Sequence, residues 1–285
     1  MSRETYWTAD PADLLRVGEG FELAKTGTRE NPGFHGDKAA GQEALAEGAE
    51  ILAELQEQLF AMSRMGGDER RILLVLQAMD TAGKGGIVKH VMGSVDPQGV
   101  QLAAFKKPTP EELDHDFLWR IHKQVPGAGM IGVFDRSHYE DVLIGRVRSL
   151  ASPDEIERRY EAINEFEAEL AATGTTIIKV MLHISRDEQK ARLTERLARA
   201  DKHWKFNPGD VDERLRWDDY AAAYQLVFER TATTDAPWFV VPADRKWYAR
   251  LAVQHLLIDA LEAMQLEWPK ADYDVAEQQA RLAAS

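Results

Sequence analysis

The sequence predicts an α/β fold, a five-stranded parallel sheet with helices on both faces, and three observations support it. Five short apolar runs, at 72–76, 100–105, 130–134, 176–184 and 238–241, alternate with helical patterns such as 152–172, 186–200 and 246–264. Parallel neighbours need a crossover connection and buried parallel strands need cover on both faces, so the alternation implies helices above and below one sheet. The composition supplies the core: of 285 residues 44% are hydrophobic and 29% charged, enough for one large domain or two small ones. Third, the first strand runs through LLVLQAMDTAGKGGIVKHV (73–91) from an apolar stretch into a glycine-rich, lysine-bearing turn and then a helical pattern.

Taken in order, residues 1–43 are rich in Gly, Asp, Glu and Pro, with TGTRENPGFHGDKAAG as the clearest loop, and read as an irregular arm wrapped over the body. A helix follows at 43–62, where apolar residues recur at helical spacing. The sheet domain then extends over 44–285, with a lid at about 186–207 and a helical tail after Trp268. No internal repeat or low-complexity segment interrupts it.

Charge and chemistry narrow the function classes. With 35 basic against 48 acidic residues the net charge is -13, which disfavours duplex nucleic acid as a partner and confines any polyanion site to a local basic concentration. Cysteine is absent, so disulfides, thiolate metal sites and cysteine nucleophiles are excluded. No segment approaches the roughly 20 apolar residues of a membrane span, and the first residues lack a signal-peptide pattern, so a cytoplasmic protein is expected.

A strand that ends in a glycine-rich turn opening a helix gathers backbone N–H groups and the positive end of the helix dipole around one point, and such a point binds phosphate. Residues 78–85 have the spacing of a Walker A loop: the amides of Thr81, Ala82, Gly83, Gly85 and Gly86 form the cradle, and Lys84 reaches the transferred phosphoryl group. The usual first glycine is Ala78, and Gly85 stands where a hydroxyl metal ligand should follow the lysine, so Asp80 is the substitute ligand. A glycine-softened turn without function is the bland alternative.

MIGVFDRSHYEDV carries the second signal. Its apolar run ends in Asp135, as a Walker B strand delivers a carboxylate to magnesium, with a helix cap by Asp135 or Ser137 as the alternative. Arg136 is expected on a phosphate, the alternative being a surface ion pair. Glu140 and Asp141 read either as metal or base residues or as the acidic first turn of a helix. A third signal is the concentration of Lys190, Arg192, Arg196, Arg199, Lys202 and Lys205, with Arg192, Arg196 and Arg199 at helical spacing. After the fourth strand this pattern fits a mobile lid that closes over phosphates, against the alternative of a solvated, self-neutralised helix. Lys106 and Lys107 end the second strand at the same sheet edge, where ligands of open α/β folds bind. The aromatics Trp119, Trp217, Tyr220, Tyr224 and Trp247 are expected in packing roles, with adenine stacking as the alternative.

MDTAGKGG, followed by FKKPTPEELDHDFLWRIHKQVPGAGMIGVFDRSHYEDVLIGRV and later by WFVVPADRKWYARL, resembles the polyphosphate kinase 2 family from about residue 45 to Met264. The resemblance implies a three-layer, P-loop kinase-like core with a helical lid, a homo-oligomeric enzyme, and phosphoryl transfer between inorganic polyphosphate and nucleoside mono- or diphosphates, AMP and ADP among them. It implies Asp80, Lys84 and Asp135 as the central set, with Asp80 and Asp135 holding Mg2+ or Mn2+. Arg136 becomes a phosphate contact and the lid bases the grip on polyphosphate. The SHYED form with Glu140 is similar to the subgroup that phosphorylates both mono- and diphosphates. The rival expectation is a P-loop kinase that uses ATP on a nucleotide or other small acceptor; a nucleotide-binding switch and an inert phosphate-binding scaffold are more distant ones.

Overall fold

The computed structural model describes residues 6–285, so the first five residues of the predicted arm lie outside the described residues. Five strands, β1 (Arg71–Ala78), β2 (Val100–Ala104), β3 (Ile131–Asp135), β4 (Thr175–His183) and β5 (Trp238–Pro242), form one parallel sheet in the order β2-β3-β1-β4-β5. The central strand pairs Leu74 with Val133 on one side and with Ile178 on the other.

Burial on both faces explains why β1, β3, β4 and β5 read as apolar runs, whereas the edge strand β2 is largely uncovered, with Leu102 exposed. Ile72, Leu74 and Leu76 point into one core, beneath the helices Lys38–Gly66 and Lys246–Ala263. Leu73 and Val75 point into the other, beneath Glu140–Val147, Pro153–Ala172 and Trp217–Thr231. The predicted α/β class, with five parallel strands and helices on both faces, is the observed one.

The first long helix begins earlier than the periodicity indicated. Asp37 caps it by accepting from the N–H groups of Ala39 (2.9 Å) and Ala40 (3.1 Å), and it runs from Lys38 to Gly66. The glycines that made this start look like a loop serve packing: a Cβ on Gly41 would lie 2.3 Å from the Trp247 ring. The arm itself contains a short helix, Pro11–Leu15, then runs along the free side of β5, where Val17 N–H donates to the Trp238 carbonyl (2.8 Å) and Arg16 forms an antiparallel bridge with Phe239. Among the described residues no helix is long and apolar enough to cross a membrane.

Gly132, in the middle of β3, gives a test of how tightly this frame is packed. A Cβ there would lie 2.6 Å from Cγ of Pro126, whose ring cannot rotate away. Gly132→Ala is expected to cost about 1–3 kcal/mol, more than the entropy alanine saves in the unfolded chain. The expected readout is a lower denaturant midpoint with an unchanged slope.

Candidate active site

At the carboxyl end of β1 the chain turns through Met79–Gly83 into the helix Lys84–His90. The turn is tight: Ala82 N–H donates to the Met79 carbonyl (3.2 Å) and Gly86 N–H to that of Gly83 (2.7 Å). Gly83 adopts φ 129°, a conformation open mainly to glycine, and Thr81 adopts φ 68°, costly for a β-branched residue. Such strain persists only where the surroundings over-determine it.

Among those surroundings is Arg192. Its guanidinium donates to the carbonyls of Thr81 (3.0 Å), Ala82 (2.7 Å), Ala243 (2.6 Å) and Asp244 (3.2 Å), and pairs with Glu188 at 2.7 Å. Gln189 adds a bond from its amide to the Asp80 carbonyl at 3.1 Å. Arg192 is buried and its donors are committed to backbone carbonyls, so it braces the phosphate loop from the wall of the cavity that it lines together with Arg196 and Arg199. The three arginines do not share one helical face. The helix Arg186–Ala198 ends before Arg199, which turns extended at its C-cap. Arg196 lies near Asp210 (3.5 Å) and Arg199 pairs with Glu195 and Asp201 on a half-exposed surface.

The second strand end meets the loop from the side. Asp135 is the last residue of β3 and pairs in register with Leu76. Arg136 follows at φ 65°, its N–H bonded to the Leu76 carbonyl (3.0 Å) and its guanidinium 3.2 Å from Asp80 Oδ1. Burial opposes the charge on Arg136, but Glu140, Asp80 and Asp135 around it raise its pKa. Glu140 sits behind it: burial pushes its carboxyl above the usual range, while Arg136 and Lys84 pull the other way. The Gln77 amide fits with its nitrogen toward Glu140 Oε1 (3.0 Å) and its oxygen toward Ser137 N–H and hydroxyl, since the opposite orientation faces acceptors with an acceptor. Asp141 turns away to Arg120 (3.9 Å) and Arg159 (3.6 Å). The helix Glu140–Val147 has Tyr139 at its N-cap with no side-chain cap bond of its own; the Ser137 hydroxyl accepts from Tyr139 N–H (3.2 Å) in the turn just before it.

These groups share one open cavity of about 720 Å³ at the carboxyl ends of the strands. Asp80, Thr81–Gly86, Asp135 and Arg136 line it together with the predicted bases Lys106, Arg192, Arg196, Arg199, Lys202 and Lys205, whereas Glu140, Lys107, Lys190 and the five expected packing aromatics lie outside its lining. The sequence reading missed Lys89, His90, Lys246 and Arg250, which complete the basic wall. Burial lowers the pKa of His90, Lys246 and Arg250, and neighbouring cations reinforce this at His90 and Lys246. The spacing of Lys246 and Arg250, four residues apart on one helix face, was the available signal.

Whether a metal fits is decided by the donors. Asp80 and Asp135 present carboxylates, the hard oxygen ligands that Mg2+ prefers. Among the described residues the cavity does not gather three His, Asp or Glu ligand atoms within 4.8 Å of one another. A pair of carboxylates suits an ion that draws its remaining ligands from water and substrate phosphates.

A local cationic cradle in a chain of net charge -13 suits a highly charged phosphate ligand, and the parallel sheet with its lysine-bearing loop fits the phosphate-binding architecture of P-loop phosphotransferases. The chain belongs to the polyphosphate kinase 2 family, whose sequence model matches residues 36–269. An AMP/ADP-polyphosphate phosphotransferase of Meiothermus ruber is 44% identical over 252 residues, covering 88% of this chain and 92% of the relative. An ADP-polyphosphate phosphotransferase of Rhodopseudomonas palustris is 41% identical over 270 residues, covering 90% and 91%. The crystal structure of polyphosphate kinase 2 from Arthrobacter aurescens superposes with a TM-score of 0.96 at 60% identity over 98% of both chains.

Proposed function

We propose that this enzyme transfers phosphoryl groups reversibly between inorganic polyphosphate and nucleotides, with AMP and ADP as acceptors. One observation carries the reading: an acidic protein keeps a wide cleft whose walls are cationic from the phosphate loop to the last long helix, as a long phosphate chain requires. The names of the Meiothermus ruber and Rhodopseudomonas palustris relatives support the donor and the acceptors. Polyphosphate and nucleoside mono- and diphosphates are thus the partners, with no duplex nucleic acid or membrane involved. The setting is the cytoplasm, and the working unit is a homo-oligomer, for which the exposed Val275 and Leu282 of the tail helix offer an apolar contact.

Phosphoryl transfer asks the protein mainly to align donor and acceptor and to neutralise charge. The loop amides and Lys84 hold the phosphoryl groups at the head of the helix. Arg136, fixed between Asp80 and Glu140, faces the phosphates from the second strand end. Arg196, Arg199 and Lys106 lie along the polyphosphate. Asp80 and Asp135 would hold Mg2+, or Mn2+ in its place, and the ion when bound neutralises charge between the transferred groups.

Incubation with polyphosphate, Mg2+ and first AMP, then ADP, followed by chromatography of the products, tests donor and acceptor together. ADP from AMP and ATP from ADP are expected to form without added ATP and only when polyphosphate is present; an ATP-only kinase forms no ADP from AMP, and any ATP it makes by transfer between two ADP molecules does not depend on polyphosphate. Chelating the metal is expected to reduce the rate to background, and an undiminished rate would mean that Asp80 and Asp135 do not act by holding a metal.

A further inference from the structure

Beneath the turn that carries Arg136 and Glu140 lies a polar cluster sealed from solvent. Lys179 stands mid-strand in β4, in register with Val75 and Trp238, and is fully buried. Its Nζ donates to Glu167 Oε2 (2.6 Å), the Tyr139 hydroxyl (2.9 Å) and the Thr231 carbonyl (2.7 Å), so its three N–H groups all find acceptors. The Tyr139 hydroxyl donates to Glu167 Oε1 at 2.8 Å, and His138 Nε2 lies 3.2 Å from the same oxygen. His138 and Tyr139 are themselves fully buried.

Stability does not account for this arrangement. The centre of a parallel sheet ordinarily takes Val or Ile, and well-packed apolar residues in place of a buried ion pair are often neutral or stabilising. What the pair does hold is specific: His138 and Tyr139 lie between Arg136 and Glu140 in the chain. Arg136 sits at φ 65°, which a side chain-bearing residue keeps only when its surroundings enforce it. On the far side of the turn Glu167 bonds both His138 and Tyr139, beside their ring contacts with Phe166 and Trp238, and Lys179 holds Glu167.

We propose that Glu167 and Lys179 are positioning residues for phosphoryl transfer, clamping His138 and Tyr139 so that Arg136 stays against Asp80 and Glu140 stays against Gln77. The inference rests on the proposed function for the reaction it serves. Neither residue touches the cavity, and both act through the turn.

Two double variants separate positioning from packing. E167L/K179M removes both charges and every side-chain hydrogen bond of the pair at similar volume, whereas E167Q/K179M leaves an amide oxygen for Tyr139 and His138. Thermal midpoint, kcat, KM for polyphosphate and ADP, and ADP affinity by calorimetry are measured on each. Misplacing a reacting group by about 1 Å can cost about 100-fold, so E167L/K179M is expected to lose about 100-fold in kcat with KM for polyphosphate within about twofold of the parent. E167Q/K179M should recover about tenfold of that loss at a similar midpoint, because its amide restores the grip on Tyr139. Equal losses in the two, or parent-like kcat in both, would overturn the proposal. Should E167L/K179M fail to fold, Y139F decides it: this single-oxygen deletion is expected to lower kcat about tenfold, and full activity would be equally damaging. A parent enzyme that transfers nothing from polyphosphate sinks the proposed function instead, and the positioning claim is then judged by calorimetry alone: weaker ADP binding in E167L/K179M or Y139F supports it, unchanged binding ends it.

Discussion

Lys84→Ala is expected to reduce kcat on the order of 10³-fold, the scale of losing a preorganised electrostatic donor at a phosphoryl-transfer centre. The fold should not notice. Lys84 is the first residue of its helix, its side chain lies in the cleft, and among the described residues it makes no ion pair that the truncation would break. Alanine is also a favourable helix former, so the far-UV circular dichroism spectrum and the thermal midpoint should match the parent. A folded variant with near-parent turnover would show that the ammonium group is not what meets the phosphoryl group.

Arg192→Ala should do the opposite, damaging stability and activity together. The guanidinium is 6% exposed and satisfies four backbone carbonyls on two loops besides Glu188. Its removal leaves those acceptors unpaired and Glu188 without its partner, at a cost of about 3–5 kcal/mol. Released from this brace, the strained Thr81–Gly83 segment loses its set geometry, so kcat falls along with the midpoint. Arg199→Ala is the contrasting case: its ion pairs are half exposed and worth about 0–1 kcal/mol, so the expected change is a higher KM for polyphosphate with stability retained. If Arg192→Ala instead kept the parent's stability and only raised that KM, the lid role expected from sequence would be correct and the bracing role wrong.

That contrast marks where sequence reading stops. Four of the strands were legible because burial on both faces writes itself as apolar runs, the edge strand β2 being the exception, and the phosphate loop because its chemistry is local, confined to 78–86. The helix start at Asp37 was hidden by Gly41, a residue chosen for contact with Trp247, more than 200 positions away. The bracing bonds of Arg192 were hidden for a similar reason: charge and spacing place it with Arg196 and Arg199, whose cavity it shares, but its acceptors at Ala243 and Asp244 lie about 50 residues further along. Lys179 passed unremarked inside the apolar run 176–184, since nothing near it in the chain announces Glu167 as its partner across the helix layer. Long-range pairing decides these cases, and periodicity does not encode it.

The arm's antiparallel contact with β5 changes how the sheet meets other chains. A bare terminal strand is a template for a stranger's backbone, and fibrous growth needs such a template on both sides of each unit. In this chain Arg16 and Val17 already occupy the start of the β5 side, while β2 on the far side is only five residues long. An incoming strand at β5 would first have to evict a segment tethered to the same molecule, whose local concentration no free competitor matches. Sheet-to-sheet polymerisation is thereby blocked at one end of the unit, independently of anything that happens in the catalytic cleft.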